Sequence, residues 1–363
     1  MARIVTVYSP GRRATELVDM SHIRWFKVSE ALARLGHDVD IATAEFKWRF
    51  RRPIVPMGER LRRVPISRVH WNEYDVVKTL FHRGFRTLEA YGGQRHSFII
   101  AKLGSVVGPV DMAGIYFYGR QRAQLYETQA RISARAKYVT VLSEPARGLW
   151  RQCFGAGDNI LVVPGAAELD VPASSGDPYP RDGRPRCVFA GNFYAQRSAS
   201  QPEAHRVLVD KLNVLGKELC QRGVRLYVVG PGDARSLDRR YVAYLGVVPY
   251  VESWDYLRFA DVGLVVAAGP FMHNNESTKI YHYLRAGLPV VSEAGFPNDR
   301  VIEESGLGFV VENGDLSALV AKVLQATQTR WDKDGAIRYV MAHHTWDQRV
   351  QVYDRIIRRV FPD

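Results

Sequence analysis

A chain of 363 residues with 46% apolar content can bury two cores of ordinary domain size, so two domains are expected. No stretch approaches the roughly 18 uninterrupted apolar residues of a membrane span, and the start, MARIVTVYSP, runs straight into a strand and not a signal peptide, so a cytoplasmic location is expected. The formal charge of +12 sits mainly in the first half, where residues 1–170 carry 26 Lys and Arg against 16 Asp and Glu, and the rest carry 24 against 22; no recognisable nucleic-acid-binding module accompanies it, which argues against a nucleic-acid partner.

In chain order, residues 3–9 (RIVTVYS) read as a first strand. The apolar positions of residues 22–36 recur at helical spacing and end on Gly36, and residues 37–43 (HDVDIAT) supply the next strand, a βαβ opening. Residues 47–63 (KWRFRRPIVPMGERLRR) then interleave Trp48, Phe50, Ile54, Val55 and Met57 with Lys47, Arg49, Arg51, Arg52, Arg60, Arg62 and Arg63. That mixture suits an anionic membrane surface, where basic heads meet lipid phosphates and apolar groups enter the interface, and equally a solvated basic loop. Further strands are expected at residues 74–79, 97–103, 138–143 and 160–165.

Composition changes at residues 170–186 (DVPASSGDPYPRDGRPR), which are rich in Pro, Gly, Ser and Asp without periodicity and read as a linker. A second alternating series follows: a strand at 187–192, a helix over about 201–222, then strands within 224–233, 244–251, 261–269 and 289–294. Residues 344–361 form an amphipathic terminal helix with a final basic turn. The economical reading is an α/β chain with a Rossmann-like domain over residues 1–169, a linker at 170–185, a second Rossmann-like domain over 186–343, and the terminal helix at 344–363. Cys153, Cys187 and Cys220 show no CxxC or Cys/His ligand spacing, so neither a disulfide framework nor a zinc site is indicated.

In doubly wound folds ligands sit outside the carboxyl ends of the strands, which directs attention to the loops that follow them. Those loops carry Gly191 and Asn192, then Gly230 and Gly232, then Val247 and Val248, and finally residues 274–279. Residues 274–292 (NNESTKIYHYLRAGLPVVS) place Ser277, Thr278 and Lys279 at the start of a short helix, where free backbone N–H groups and a lysine suit a diphosphate. Taken alone, the pattern also fits an ordinary capped helix followed by a buried strand.

The run from Tyr244, YLGVVPYVESWDYLRFADVGLVV, resembles the strand, Leu-Gly, turn, helix and Ala-Asp-Val strand of nucleotide-sugar glycosyltransferases with the GT-B fold, and ESTKIYHYLRAGLPVV resembles their donor-diphosphate segment. VVGPGD, ILVVPGAAE and TWDQRV match the family's glycine turn, the close of its first domain and the start of its last helix. This resemblance implies two Rossmann-like domains facing across a cleft, with the terminal helix packing back toward the first, a nucleoside-diphosphate sugar held by the second domain and a hydroxyl acceptor by the first. It implies diphosphate contacts from Ser277, Thr278 and Lys279, faced by Gly191 and Asn192, with Gly230 and Gly232 in the same pocket and Glu276 beside it. Val247 and Val248 fall where the family holds the nucleobase through backbone groups, although plain core packing explains valines equally well. No cofactor and no metal are implied, and UDP is the first choice of nucleotide.

The acidic pair of the large retaining families, Glu-x7-Glu, falls here on Asn274 and His282, so both carboxylates are missing and the stereochemical outcome stays open. A similar Ser-x-Lys pattern occurs in the membrane-associated glucuronosyltransferase of xanthan assembly, which agrees with a peripheral place at the inner face of a membrane and a lipid-linked or membrane-proximal acceptor. An inverting transfer needs a base, for which Glu16, Asp19, His22 and Asp111 are the candidates, and His282 occupies a site position of the family. Two other readings are a nucleotide-sugar 2-epimerase of the same fold, resting on the missing acidic pair, and a nonenzymatic basic binding protein, resting on charge.

Overall fold

The computed structural model describes residues 1–8, 20–43, 54–109, 119–194, 202–269 and 274–362. The chain divides into two compact units: one gathers Met1–Met112, Gly119–Gly165 and Trp346–Asp363, the other Ala113–Tyr118 and Ala166–Thr345.

In the first unit the elements run β1 (Arg3–Val7), α1 (Met20–Arg34), β2 (Asp38–Thr43), β3 (Val55–Pro56), β4 (Leu61–Pro65), β5 (Val76–Leu80), α2 (Phe81–Ala90), β6 (Ile99–Lys102), α3 (Gly119–Arg135), β7 (Tyr138–Val141), α4 (Glu144–Phe154) and β8 (Ile160–Val162). They build one sheet in the order β3-β4-β2-β1-β5-β6-β7-β8, parallel throughout except for the short β3. Helices cover both faces of such a sheet, so its strands are near-continuous buried apolar runs, as in RIVTV and IIAK. Two lysines interrupt this pattern. Lys102 is buried and spends its ammonium on carbonyls, donating to Val141 O at 3.0 Å and also to Val163 O. Lys78, buried in the middle of β5, has no such carbonyl among the described residues.

β4 corrects the reading of residues 47–63 as one basic surface loop. Its last residues form a strand beside β2, and Arg62 there pairs with buried Asp40 through two hydrogen bonds of 2.7 and 2.8 Å, while Arg60 pairs with Asp38 at 3.1 Å. The basic side chains hid the strand because Leu61 and Val64 alone carry its apolar signal. The same pairs occupy the carboxylates of the Asp38-Val39-Asp40 triplet. Lys47, Arg49, Arg51 and Arg52 lie outside the described residues.

The second unit contains β9 (Arg186–Ala190), α5 (Pro202–Gln221), β10 (Arg225–Val229), β11 (Val242–Gly246), α6 (Tyr250–Arg258), β12 (Val262–Val265), α7 (Thr278–Arg285), β13 (Val290–Glu293), α8 (Arg300–Ser305), β14 (Gly308–Val311), α9 (Leu316–Gln328) and α10 (Lys333–His343). Its sheet is parallel, in the order β11-β10-β9-β12-β13-β14. One core lies under α5 and α9, the other under α6, α7 and α10. Residues 170–185 have no regular structure but are seated on this unit: Tyr179 is buried and its hydroxyl donates to Tyr256 O at 2.8 Å, and Ser175 N donates to Asp255 at 2.9 Å.

The final helix, α11 (Trp346–Val360), belongs to the first unit and lies against α1. Buried His37 meets Asp354 at 2.9 Å, Arg34 pairs with Asp347, and the Tyr353 hydroxyl meets Thr140 at 3.1 Å. The expected return of this helix to the first domain is therefore observed.

Candidate functional site

Strand order reverses between β9 and β12 in the second sheet and between β1 and β5 in the first, and at such switch points the connections leave in opposite directions and open a crevice at the carboxyl ends. In the second unit, the loop after β9 carries Gly191 and the loop after β10 carries Gly230. Gly191 N donates to Val229 O at 2.7 Å, and Gly230 N to Gly246 O at 2.8 Å, so the strand ends are laced together by backbone. Gly230 has φ +127°, and a Cβ there would lie 2.5 Å from Gly191 O, so only glycine permits this approach.

Lys279 reaches the same turn from the first turn of α7. Its ammonium stands 4.8 Å from the Phe189 ring centre, and a Cβ on Gly191 would meet Lys279 Cε at 2.3 Å. Gly191 is thus the slot through which the lysine passes. Among the described residues no carboxylate or carbonyl accepts from Lys279, and burial lowers its pKa to about 8. A cation held without a counter-charge is prepared for an anionic ligand.

The helix start is fixed from outside. Asn298, buried, accepts from Ser277 N at 3.0 Å through Oδ1 and donates to Ser277 O at 2.9 Å through Nδ2. Ser277 adopts the extended backbone of an N-cap, yet its hydroxyl makes no cap: Oγ is buried and has no partner among the described residues. Because the first N–H groups of a helix lack intrahelical acceptors, Ser277 Oγ, the backbone of Thr278 and Lys279 Nζ together form an unfilled donor set at the positive end of α7. Asn298 was not singled out from the sequence; its signal lies in a loop 21 residues away.

Other expected residues differ in their commitments. Asn192 is exposed and its Oδ1 accepts from Tyr194 N at 2.8 Å, which shapes the turn. Gly232 leaves room for the Phe193 ring, 2.6 Å from where its Cβ would be. Val247 is 67% exposed, so core packing does not explain it, whereas Val248 packs partly against the core. Glu276 accepts from the Tyr281 hydroxyl at 2.9 Å. His282, one turn along α7 from Lys279, lies 3.8 Å from the fully buried carboxylate of Glu168 and 5.4 Å, ring to ring, from Trp254. Glu168 itself was missed because it precedes the linker, far from α7 in sequence. Asp299, next to Asn298, accepts from Gly295 N at 2.7 Å, and burial pushes its carboxyl up to about 6.

Of the candidate bases, Glu16, Asp19 and Asp111 lie outside the described residues. His22 is placed in the first unit, on α1, with its ring 5.3 Å from that of Tyr8 at the end of β1. Among the described residues no group of three or more His, Cys, Asp or Glu could hold a metal ion, and no helix is long and apolar enough to cross a membrane. A depression of about 670 Å³ between Tyr138, Asn159, Ile356 and Arg359 lies at the amino ends of β7 and β8, the end where this architecture does not place ligands.

Residues 212–334 match the family model of the glucosyltransferase 3-like C-terminal domain. No curated protein sequence is significantly similar to the chain. Among solved structures, the chain is similar to the sucrose-phosphate synthase of Thermosynechococcus elongatus (15% identity, 99% of each chain covered, TM-score 0.72). It is also similar to AviGT4, a glycosyltransferase involved in avilamycin A biosynthesis (17% identity, 99% of this chain and 98% of that one, TM-score 0.66). A third likeness is to an α,α-trehalose-phosphate synthase (UDP-forming) from Burkholderia xenovorans (9% identity, 98% and 100% covered, TM-score 0.65). The protein therefore combines the GT-B fold with a glucosyltransferase 3-like C-terminal domain and is, by that fold and domain, a glycosyltransferase.

Proposed function

We propose that this enzyme transfers a glycosyl group from a nucleoside-diphosphate sugar, UDP-linked, to a hydroxyl acceptor, with the donor diphosphate at the start of α7. The observation that carries this reading is Lys279, which meets no acceptor among the described residues and is threaded past Gly191 from a helix whose N-cap, Ser277, has a buried hydroxyl that is likewise without a partner among them. Glycosyl transfer passes through an oxocarbenium-like state in which negative charge builds on the departing diphosphate. Lys279 and the free N–H groups of α7 are aimed where that charge develops, the arrangement that stabilises a transition state more than a ground state. His282, held beside Glu168, takes the donor-facing position at which related enzymes carry an acid. The acceptor belongs to the first unit, with Glu16, Asp19, His22 and Asp111 as candidate bases. UDP is favoured because one structural neighbour is a UDP-forming synthase.

A panel of nucleotide sugars titrated calorimetrically into the full chain tests this. A UDP-sugar should bind and, with acceptor, release UDP. In Gly191→Ala the new methyl meets Lys279 Cε and should lower that affinity by about tenfold or more. Binding of no nucleotide sugar, or equal affinity in the alanine variant, would refute the assignment. Epimerised donor without transfer would favour the 2-epimerase.

Peripheral attachment to an anionic membrane face is the finer reading of the basic first half. With Arg60 and Arg62 committed to ion pairs, Lys47, Arg49, Arg51 and Arg52 would supply the contact. Flotation with vesicles containing phosphatidylglycerol should be abolished when these four are neutralised, and unchanged flotation would remove the idea.

A further inference from the structure

The depression of about 670 Å³ at the amino ends of β7 and β8 lies wholly within the first unit, and its lining is sorted by chemistry. Its floor is apolar: Leu161 of β8 and Val352 and Ile356 of α11 are half-buried there. Its rim is basic: Arg355 and Arg359 follow one another along α11, Lys137 joins them from the start of β7, and all three are exposed. Asp158 is the one acid among the lining residues.

These cations differ from their neighbours on the same helix surface. Arg358 is neutralised within the fold by Asp354 at 2.7 Å, and Arg34 of α1 pairs with Asp347. Lys137, Arg355 and Arg359 have no carboxylate within ion-pair distance among the described residues, and the N–H that Arg355 donates goes to Gln351 O of its own helix at 3.4 Å. The apolar floor is periodic as well. Val352 and Ile356 are one turn apart, Val360, 43% exposed, continues the row, and Arg355 and Arg359 repeat at the same spacing. Because α11 already turns Val350, Tyr353 and Ile357 inward, this is a second apolar row, which the first unit covers only in part.

We propose that the groove docks an acidic amphipathic helix of a partner protein, laid along α11. A rise of 1.5 Å per residue sets the positions of Arg355 and Arg359 about 6 Å apart along the axis, the spacing at which a helix presents carboxylates four residues apart. Apolar side chains between those carboxylates enter the floor, the mode in which a helix lies in a groove. A lone phosphate needs cations that converge on a point, and these are strung along a helix. A bilayer surface needs basic and apolar groups that protrude into it, and these line a concavity. Residues 1–170, which supply most of this unit, carry 26 Lys and Arg against 16 Asp and Glu, a field that speeds encounter with an acidic partner. Substrates of this architecture sit at the carboxyl ends of the strands, so a partner seated at the amino ends of β7 and β8 leaves those ends open. Neither the groove nor its charges depend on what the second unit binds.

The probe is a synthetic helical peptide with glutamates four residues apart on one face and leucines between them, labelled with a fluorophore and titrated into the full chain. Its anisotropy should rise saturably, and Arg355→Glu combined with Arg359→Glu should weaken binding about tenfold or more, because like charges then face each other. The same double variant should instead prefer the peptide with lysine in place of glutamate, an exchange that a damaged fold could not produce. Lys137→Glu, on a different element, should weaken the acidic peptide too. A peptide of identical composition whose glutamates are scattered around the helix should bind about tenfold more weakly than the first. No binding of the first peptide, equal binding of the scattered one, or no exchange of preference in the double variant would overturn the proposal. Phosphatidylglycerol vesicles that need Arg355 and Arg359 where the peptide fails would make the groove a lipid site, and dimerisation of the chain abolished by the same substitutions would make it a self-contact; either displaces the acidic helix.

Discussion

Replacing Lys279 with methionine should weaken UDP-glucose binding by about 10- to 150-fold, the range expected for losing a charge-assisted contact of roughly 1.5–3 kcal/mol. Methionine keeps the length and apolar stem, so the passage beside Gly191 and Phe189 remains filled and the loss reports the charge. The pH dependence gives a sharper signature. In the empty protein burial holds Lys279 at about 8, below its ordinary 10.5. A bound diphosphate favours the ammonium, so binding above pH 8 must take up a proton. Affinity should therefore be flat below about pH 7.5 and fall as pH rises through 8, by up to tenfold per unit, while the methionine variant stays flat throughout. UDP-glucose has no phosphate group titrating in that window. A wild-type affinity independent of pH from 7 to 9 would remove Lys279 from the diphosphate.

The same lysine bears on stability in the opposite sense. The unfolded chain keeps its lysine protons to about 10.5, whereas the folded chain releases those of Lys78 near 7 and Lys279 near 8. The unfolded state thus binds more protons across that interval, and the empty protein gains stability as pH climbs through it. A ligand that keeps Lys279 charged reverses the part of the trend that this lysine contributes.

Much of this architecture is legible in the chain itself, because parallel strands must be apolar on both faces and helices must end. β1, β2, β5 to β10, β12 and β13 all announce themselves as short apolar runs between turn residues. β4 does not, since Arg62 and Arg63 occupy it and only Asp40, distant in sequence, explains why an arginine belongs there. β14 is likewise obscured, since it opens on Gly308 two residues after Gly306, the glycine that ends α8. At the site, Lys279 and Gly191 are visible as a lysine at a helix start and a glycine after a strand. That they touch is not, because the contact joins residues 88 positions apart. Asn298 and Glu168 were hidden for the same reason: each acts on α7 from another loop, and a single side chain in a loop carries no periodicity.

Lys211→Met should destabilise the second unit by about 3–5 kcal/mol, the range for stripping one partner from a buried ion pair. Glu293, at the end of β13, is fully buried and receives Lys211 Nζ at 2.7 and 2.8 Å, Ala267 N at 2.6 Å and Gly314 N at 3.1 Å. Lys211 also donates to Ala267 O at 3.0 Å. One carboxylate therefore ties α5, the end of β12, the end of β13 and the loop before α9. Methionine would fill the volume but leave a buried charge with two N–H donors. Glu293→Gln added to Lys211→Met removes that charge while an amide oxygen still accepts from Ala267 N, so the double variant should recover more than half of the loss. Urea unfolding followed by tryptophan fluorescence reads both. A single-variant loss under about 1 kcal/mol, or no recovery in the double variant, would show that the pair is not what holds the carboxyl ends of β12 and β13 together. If it is, the single variant should also bind UDP-glucose more weakly, because α7 begins from the chain that leaves β12 and its first turn inherits the position of that strand end.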